Sequence, residues 1–511
     1  MIEEKRHHPL IMLMNLYQLV KGSIFIVFFL FVIKFGSDAA YVKYGRLVFF
    51  LFMAVSAVSI VLKWLTSTYK LDGSSFHLKE GIFTKSNQTI PFSKVQNVNY
   101  RTSLFHRIFG LTSIRFETGM TGADSAIEFK VIRKEEAEKL EEHVSHPQEE
   151  EEGISLVDPA DAPPAGQEAG NEQTAQPVLP AGRIVHFTPG KKDILKASFT
   201  SFSFLVLFSA IVSIYFKIDE VFDLDEQAQG LFAALMGSSL LLAGILILLL
   251  LVSTGIGVAR TYLKYGKYEI SSDQERIYIV QGVLDESRFS ILKERVQAIE
   301  VKQPPIKRLL GLAEVKLTSA GGVSLGEDSP EISTLYPFLP VKRAYEMISE
   351  ILPQYEVTRE MKRLPGKSFW IRLLKPSWVL ILATAGLAWF KPEILDTERA
   401  WLFVSAGLLI IIALLRILDY WNTRYTLNSQ FIQMKSGSLS TSLFISKREK
   451  VIEVSVTSNL FQKWLGLASI ETVNRAKPVL HSSLDDVPKE MAADFYEWYV
   501  GRGTEIKYQE Y

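Results

Sequence analysis

The 511-residue chain balances 56 Lys plus Arg against 56 Asp plus Glu, so its zero formal charge points to neither nucleic acid nor an acidic substrate. It has no cysteine, which excludes disulfides, thiolate nucleophiles and Cys-ligated zinc or iron–sulfur sites. Apolar residues make up 48% while 22% are charged, a mixture that fits membrane segments joined to several water-facing domains.

In chain order, six apolar segments stand out against the roughly 20 residues a helix needs to cross a bilayer. They are Gly22 to Phe35 with a mixed lead-in from Leu10, Leu47 to Leu65, Ser198 to Phe216, Leu231 to Val258, Trp378 to Phe390, and Ala400 to Leu418. The fifth is short, and Phe369 to Pro376 before it either extends the span or lies in the interface. Short connections make three hairpins. Lys191, Lys192, Lys196, Arg260, Lys264 and Lys267 flank the second, whose turn is acidic from Asp219 to Glu226, and the third repeats the bias. The positive-inside rule then places both termini and all soluble parts in the cytoplasm. Lys34, Lys43 and Arg46 in the first turn dissent. Charged residues near the span ends (Lys21, Lys34, Lys63, Arg416, Asp419) and uncharged centres in the third and fourth spans argue against a transporter pathway.

After each hairpin one soluble pattern returns, starting at Tyr69, Tyr268 and Tyr425. Counted from Gly81, Gly282 and Gly437, fourteen residues bring Val95, Val296 or Val451, each preceded by a base: Lys94, Arg295 or Lys450. Twenty-six bring Arg107, Arg308 or Lys463, and twenty-nine bring Gly110, Gly311 or Gly466, each followed by Leu. Alternation such as Ile277-Tyr-Ile-Val predicts strands with one buried face, and the first glycine predicts a tight hairpin with positive φ. An amphipathic turn precedes the second glycine, and each copy ends in a helix: Lys134 to His143, Val341 to Leu352, Pro488 to Val500.

This motif, set directly after a two-helix hairpin, resembles the bacterial pleckstrin-homology (PH) domain of the YdbS/YdbT-type membrane proteins, and three units in one chain are a YdbT-like arrangement. The resemblance implies an α+β membrane protein in which each hairpin carries a bent β barrel with a C-terminal helix. It also implies partnership with a smaller single-unit YdbS-like membrane protein, and loosely a role in tolerance of membrane-active peptides. The third copy departs by having Ile452 where the others have Gln96 and Gln297.

The expected organisation is hairpin 1 at 1–66, PH-like domain 1 at 67–147, a disordered acidic linker at 148–182, hairpin 2 at 183–259, domain 2 at 260–355, hairpin 3 at 356–420 and domain 3 at 421–511. The linker follows Glu149 to Glu152 with a Pro-, Ala-, Gly- and Gln-rich run that cannot bury enough apolar surface to fold. Catalytic signals are thin. Gly322-Val-Ser-Leu-Gly326 lacks the strand–turn–helix setting of a nucleophile elbow. Pro365-Gly-Lys-Ser368 lacks the first glycine of a phosphate loop, Met361 standing there, and reads as an interfacial lead-in like Pro189-Gly-Lys191. The eight His residues form no ligand set. Neither an enzyme nor a cofactor is therefore expected. The repeated bases Lys94, Arg107, Arg295, Arg308, Lys450 and Lys463 either stabilise the fold or contact anionic headgroups or an acidic partner. A membrane assembly protein that binds partners, headgroups or further copies of itself is the leading reading; a subunit of a transport or antimicrobial-peptide resistance system is the alternative.

Overall fold

The computed structural model describes residues 4–34, 39–82, 84–118, 126–145, 183–200, 209, 239–319, 334–390, 399–476 and 478–504. Four described helices are long and apolar enough to cross a membrane: Leu10–Phe31, Ala40–Thr66, Gly366–Phe390 and Ala400–Asn422. A further helix, Ser239–Tyr265, contains the ILILLLLV run and leaves Leu240, Ile247, Leu248 and Leu251 exposed. Most of the expected third span, the acidic turn after it, the acidic linker and Gly322 to Gly326 lie outside the described residues. The fifth apolar segment resolves into two helices. Gly366–Leu374 stops before Pro376, whose ring disfavours a helical residue ahead of it, and Trp378–Phe390 follows. In the first hairpin Phe28–Ile33 is a π-helix, and Arg46 donates to the carbonyls of Leu30 at 3.0 Å and Lys34 at 2.8 Å. The Arg46 charge is thus spent inside the hairpin.

Among the described residues each repeat contains seven strands, and the first precedes its membrane hairpin. In repeat 1 these are β1 (Lys5–Arg6), β2 (Thr68–Leu71), β3 (Ser75–Glu80), β4 (Ser86–Pro91), β5 (Val95–Thr102), β6 (Leu111–Thr118) and β7 (Ala126–Arg133). Repeat 2 has β8 (Ile184–Phe187), β9 (Glu269–Ser272), β10 (Arg276–Gln281), β11 (Glu286–Leu292), β12 (Val296–Gln303), β13 (Leu312–Ser319) and β14 (Leu339–Pro340). Repeat 3 has β15 (Lys362–Arg363), β16 (Arg424–Leu427), β17 (Phe431–Ser436), β18 (Thr441–Lys447), β19 (Val451–Thr457), β20 (Leu467–Asn474) and β21 (Leu480–Pro488). The short β1, β8 and β15 pair antiparallel with the strand that leaves the hairpin, so each hairpin is clasped where it enters and leaves the soluble domain. Pro9, Pro189 and Pro365 then turn the chain into the first helix, where a missing amide donor costs nothing.

The expected barrel does not close. Among the described residues every repeat holds two sheets, one of four strands and one of three, and the fourth and fifth strands are separated by a one-turn 3-10 helix instead of pairing. A bulge opens the fifth strand at the same place in all three repeats, around Gln96, Gln297 and Ile452. The sheets meet over an apolar core that the C-terminal helix closes: Ala137 and Leu140 in repeat 1, Met347 and Ile348 in repeat 2, Phe495 and Trp498 in repeat 3.

Among the described residues the six recurrent glycines are the glycines of positive φ, but they do not carry equal strain. At Gly437 (φ 118°) a Cβ would lie 2.1 Å from the Ser440 carbonyl oxygen, whereas at Gly466 (φ 73°) it would meet nothing within 4 Å. Gly437→Ala should therefore lower stability by more than Gly466→Ala, toward the upper and lower ends of the roughly 1–3 kcal/mol that forced backbone conformations cost. Thermal denaturation of the two purified variants in detergent checks this, and equal losses would contradict it.

Repeat 1 also contains a proton-sensitive cap. Ser103 and His106 form a capping box on helix Leu104–Ile108, and His106 Nε2 lies 2.8 Å from the Lys130 carbonyl oxygen. With Nε2 donating there, Nδ1 is left to accept from Ser103 Oγ at 2.7 Å, which requires a neutral ring. Burial holds the imidazole below its ordinary pKa; the Lys130 carbonyl and Asp285 oppose this, and Arg101 adds to it. On acidification the unfolded chain binds the proton first, so this contribution is complete above about pH 6.5 and is lost as the pH falls from there through the folded value. Repeat 3 uses Gln462 at the equivalent place, and it donates to Asp486 at 2.8 Å. His106→Gln should reduce the acid sensitivity of repeat 1, leaving the part that the buried His7 contributes by the same desolvation. Urea unfolding at pH 7.5 and 5.5, followed from a fluorophore on Ser93→Cys, reads this directly; identical pH slopes in both proteins would refute it.

Candidate functional site: strand edges and short helices at the membrane ends

The edge of β5 that faces away from β6 pairs with β11 of the next repeat, and the same edge of β12 pairs with β18. The registers coincide. Position sixteen after the anchor glycine faces position nine of the following repeat in both junctions, as Asn97↔Ile291 and Ala298↔Ser446. Two seven-stranded sheets result, each shared by two repeats, and the core of repeat 2 takes in Phe431, Leu443 and Ile445 of repeat 3. Side chains seal the second junction: Ser446 Oγ donates to the Gln297 carbonyl at 3.1 Å, and Asn474 Nδ2 donates to Ser446 Oγ at 2.8 Å.

The basic residue at position twenty-six crosses each junction. Arg107 donates to the Val283 carbonyl at 3.0 Å and Arg308 to the Ser438 carbonyl at 3.0 Å, in each case the residue after the next repeat's anchor glycine. That glycine turn rests on the C-terminal end of the long apolar helix before it, Ser239–Tyr265 in repeat 2 and Ala400–Asn422 in repeat 3. Val283 N–H donates to the Leu263 carbonyl, while Gly437 N–H donates to Asp419 and Asn422 Nδ2 to the Gly437 carbonyl. Arg308 also reaches Asn422 Oδ1 at 2.8 Å. Among the described residues the Lys463 ammonium has neither hydrogen bond nor ion pair. Lys450 donates to the Glu294 carbonyl at 3.1 Å across the second junction, while Lys94 and Arg295 are exposed. The sequence left headgroup contact and structural bonding open for these bases; Arg107, Arg308 and Lys450 now have protein partners.

Sequence reasoning missed the buried Arg372. It donates to Asp419 at 2.5 Å, Asp486 at 3.2 Å and Thr423 at 2.8 Å, tying the lead-in helix, the end of helix Ala400–Asn422 and β21 together. Ser368, the last residue of the phosphate-loop-like run, is fully buried and donates to the Asp486 carbonyl at 2.6 Å. That run is a docking segment of the fold.

The same short helices that carry Arg107, Arg308 and Lys463 also expose large apolar side chains: Leu104 and Ile108, Leu309, and Leu460, Phe461 and Trp464, the last 85% exposed. In repeats 1 and 2 these helices also carry the Arg107 and Arg308 bonds to the next repeat's glycine turn, so basic and large apolar side chains sit side by side on one short element, a combination suited to a lipid interface. Beside the first span, Lys5, Arg6, His8, Arg133 and Trp64 line a cleft of about 420 Å³. Among the described residues no group of three or more His, Asp or Glu is placed to hold a metal ion.

Comparison with known proteins agrees with this threefold plan. The bacterial PH domain family matches residues 24–148, 222–354 and 379–502. The chain is 26% identical over 509 residues, 98% of each chain, to the UPF0699 transmembrane protein YdbT of Bacillus subtilis (strain 168). No solved structure matches. The chain belongs to the bacterial PH domain family, as a YdbT-like membrane protein with three such domains.

Proposed function

We propose that the chain is a non-enzymatic membrane scaffold. Six spans in three hairpins hold the PH-like repeats at the cytoplasmic face, where they form one edge-paired array lying against the headgroups and receiving protein partners. The supporting observation is the pair of junctions in identical register, each bonded through Arg107 or Arg308 to a turn seated on a membrane helix end. Such an array has a fixed underside on which the exposed Leu, Phe and Trp side chains of the short helices enter the interface. Lys94, Arg295, Lys463 and the cleft around Lys5 and Arg6 supply cations for anionic headgroups, each worth about 1 kcal/mol near such a surface. The protein partners on this reading are a smaller single-unit YdbS-like membrane protein or further copies of the chain. Envelope defence is the setting that the family resemblance suggests; deletion of the gene should then raise sensitivity to membrane-active peptides, and unchanged sensitivity across a broad panel would remove that role.

Because the chain has no native cysteine, single cysteines can be introduced cleanly. Spin labels on Ile108→Cys, Leu309→Cys and Trp464→Cys, in protein reconstituted into anionic bilayers, should be more accessible to oxygen than to a water-soluble paramagnetic reagent. Water-like accessibility at all three would overturn the membrane-lying arrangement.

A further inference from the structure

Among the described residues two strand edges remain open at the ends of the array. In the sheet order β4 lies at the end of the first sheet and β19 at the end of the last. By position in the repeat, β4 corresponds to β11 and β18, and β19 to β5 and β12. One end therefore carries the strand that every internal junction receives, and the other end the strand that every internal junction offers. We propose that β19 of one copy pairs with β4 of a second copy in the internal register, making head-to-tail assemblies in the plane of the membrane. This deepens the scaffold reading and rests on it.

Burial along the fifth strand marks the unfilled position. Gln96 and Gln297 are buried, whereas Ile452 at the same place is 49% exposed, and Val456 further along is 41% exposed. A Val-rich strand with exposed apolar side chains and Glu453 as its one charge is the kind of edge that recruits another strand. Tyr499 and Arg502 already take the Ile452 and Val451 carbonyls, which leaves Glu453 to Thr457 to pair. Transferring the register pairs Glu453 with Ile90, Ser455 with Gln88 and Thr457 with Ser86 of the second copy. Lys463 then stands where Arg107 and Arg308 stand, aimed at the Ile82 carbonyl of that copy, which gives its partnerless ammonium a bond. β4 is polar through Ser86, Asn87, Gln88 and Thr89, and Pro91 ends its donor row, so each contact is weak and reversible. Membrane confinement offsets that weakness by raising the effective concentration. A heterologous contact of this type closes into a ring or continues as a filament. Repeating the internal junction keeps each added hairpin in the same bilayer.

The test uses full-length chains in native-like membranes. Thr457→Cys and Ser86→Cys are made as separate single variants, co-expressed and oxidised. The equivalent internal pair, Lys302→Cys with Ser442→Cys in one chain, serves as control. The expected result is a disulfide dimer only when both singles are present, its yield reduced several-fold by Lys463→Glu and absent when Ser455→Cys replaces Thr457→Cys. If the internal pair cross-links and the mixture stays monomeric, the head-to-tail proposal is overturned while the array stands; if the internal pair also fails, the array itself is wrong. A dimer seen only after removing residues 505–511 means that the chain's own tail covers β19. A smaller co-purifying protein cross-linked to Thr457→Cys in place of the second copy means that another chain occupies the edge. Either result overturns the proposal as well.

Discussion

The structure depends on one constraint: the fourth and fifth strands of a PH-like repeat do not pair with each other, so each leaves one edge whose backbone donors and acceptors must be satisfied elsewhere. A closed barrel would satisfy them by joining the fourth strand to the fifth. The 3-10 turn and the bulge at Gln96, Gln297 and Ile452 hold those strands apart, so the edges are satisfied between repeats instead. Register is then no longer free. A slip of one residue would turn Leu443 and Ile445 out of the core of repeat 2, which they help to fill.

Hydrogen bonds at the membrane ends carry the same constraint into the bilayer. Arg308, Asn422, Gly437, Asp419, Arg372 and Asp486 form a continuous polar chain from repeat 2, across the end of helix Ala400–Asn422, into repeat 3. Arg372 and Asp486 are both nearly excluded from water, so losing Arg372 would leave the buried Asp486 charge without its cation, a change that typically costs about 3–5 kcal/mol, whereas losing Asp486 would still leave Arg372 its Asp419 partner. Desolvating a whole ion pair is expensive, and its return here is orientation. The angle between a hairpin and its soluble domain is fixed by directional bonds, and so is the angle between neighbouring domains. Apolar packing alone would tolerate sliding.

How much of this could be read from the chain follows from which interactions are local. The recurrent glycines announced themselves because a tight turn with positive φ admits almost nothing else, and strand alternation such as Ile277 to Val280 is imposed by one-sided burial. Apolar runs of the required length identified membrane segments for the same reason. The two-residue strands Lys5–Arg6 and Lys362–Arg363 could not be seen, since so short a run has no period, and Lys362 and Arg363 read as charges flanking the third hairpin. Junction pairing was invisible as well: a strand buried by a neighbouring repeat and one buried by its own domain share the same alternation. One signal was present and was read differently. Ile452 in place of Gln looked like a lost polar contact, whereas its exposed position on β19 makes it a difference between a strand with a neighbour and a strand without one.

Covalent linkage explains why three repeats on one chain can use junctions built mainly from backbone bonds and a few polar side chains. An isolated pair of such edges would associate weakly, because the area is small and the exposed Arg288, paired with half-buried Glu286, keeps part of the first interface hydrated. Within one chain the second repeat is always near the first, and the hairpins remove much of the rotational freedom that association would otherwise have to overcome. The outer strands have no such help. Their residues are accordingly different from the inner ones: β4 has become polar, with Pro91 at its end, while β19 has kept its valines. An edge kept adhesive on one end and a guarded one on the other is what a directional array requires, since two adhesive ends would join without control and two guarded ends would not join at all.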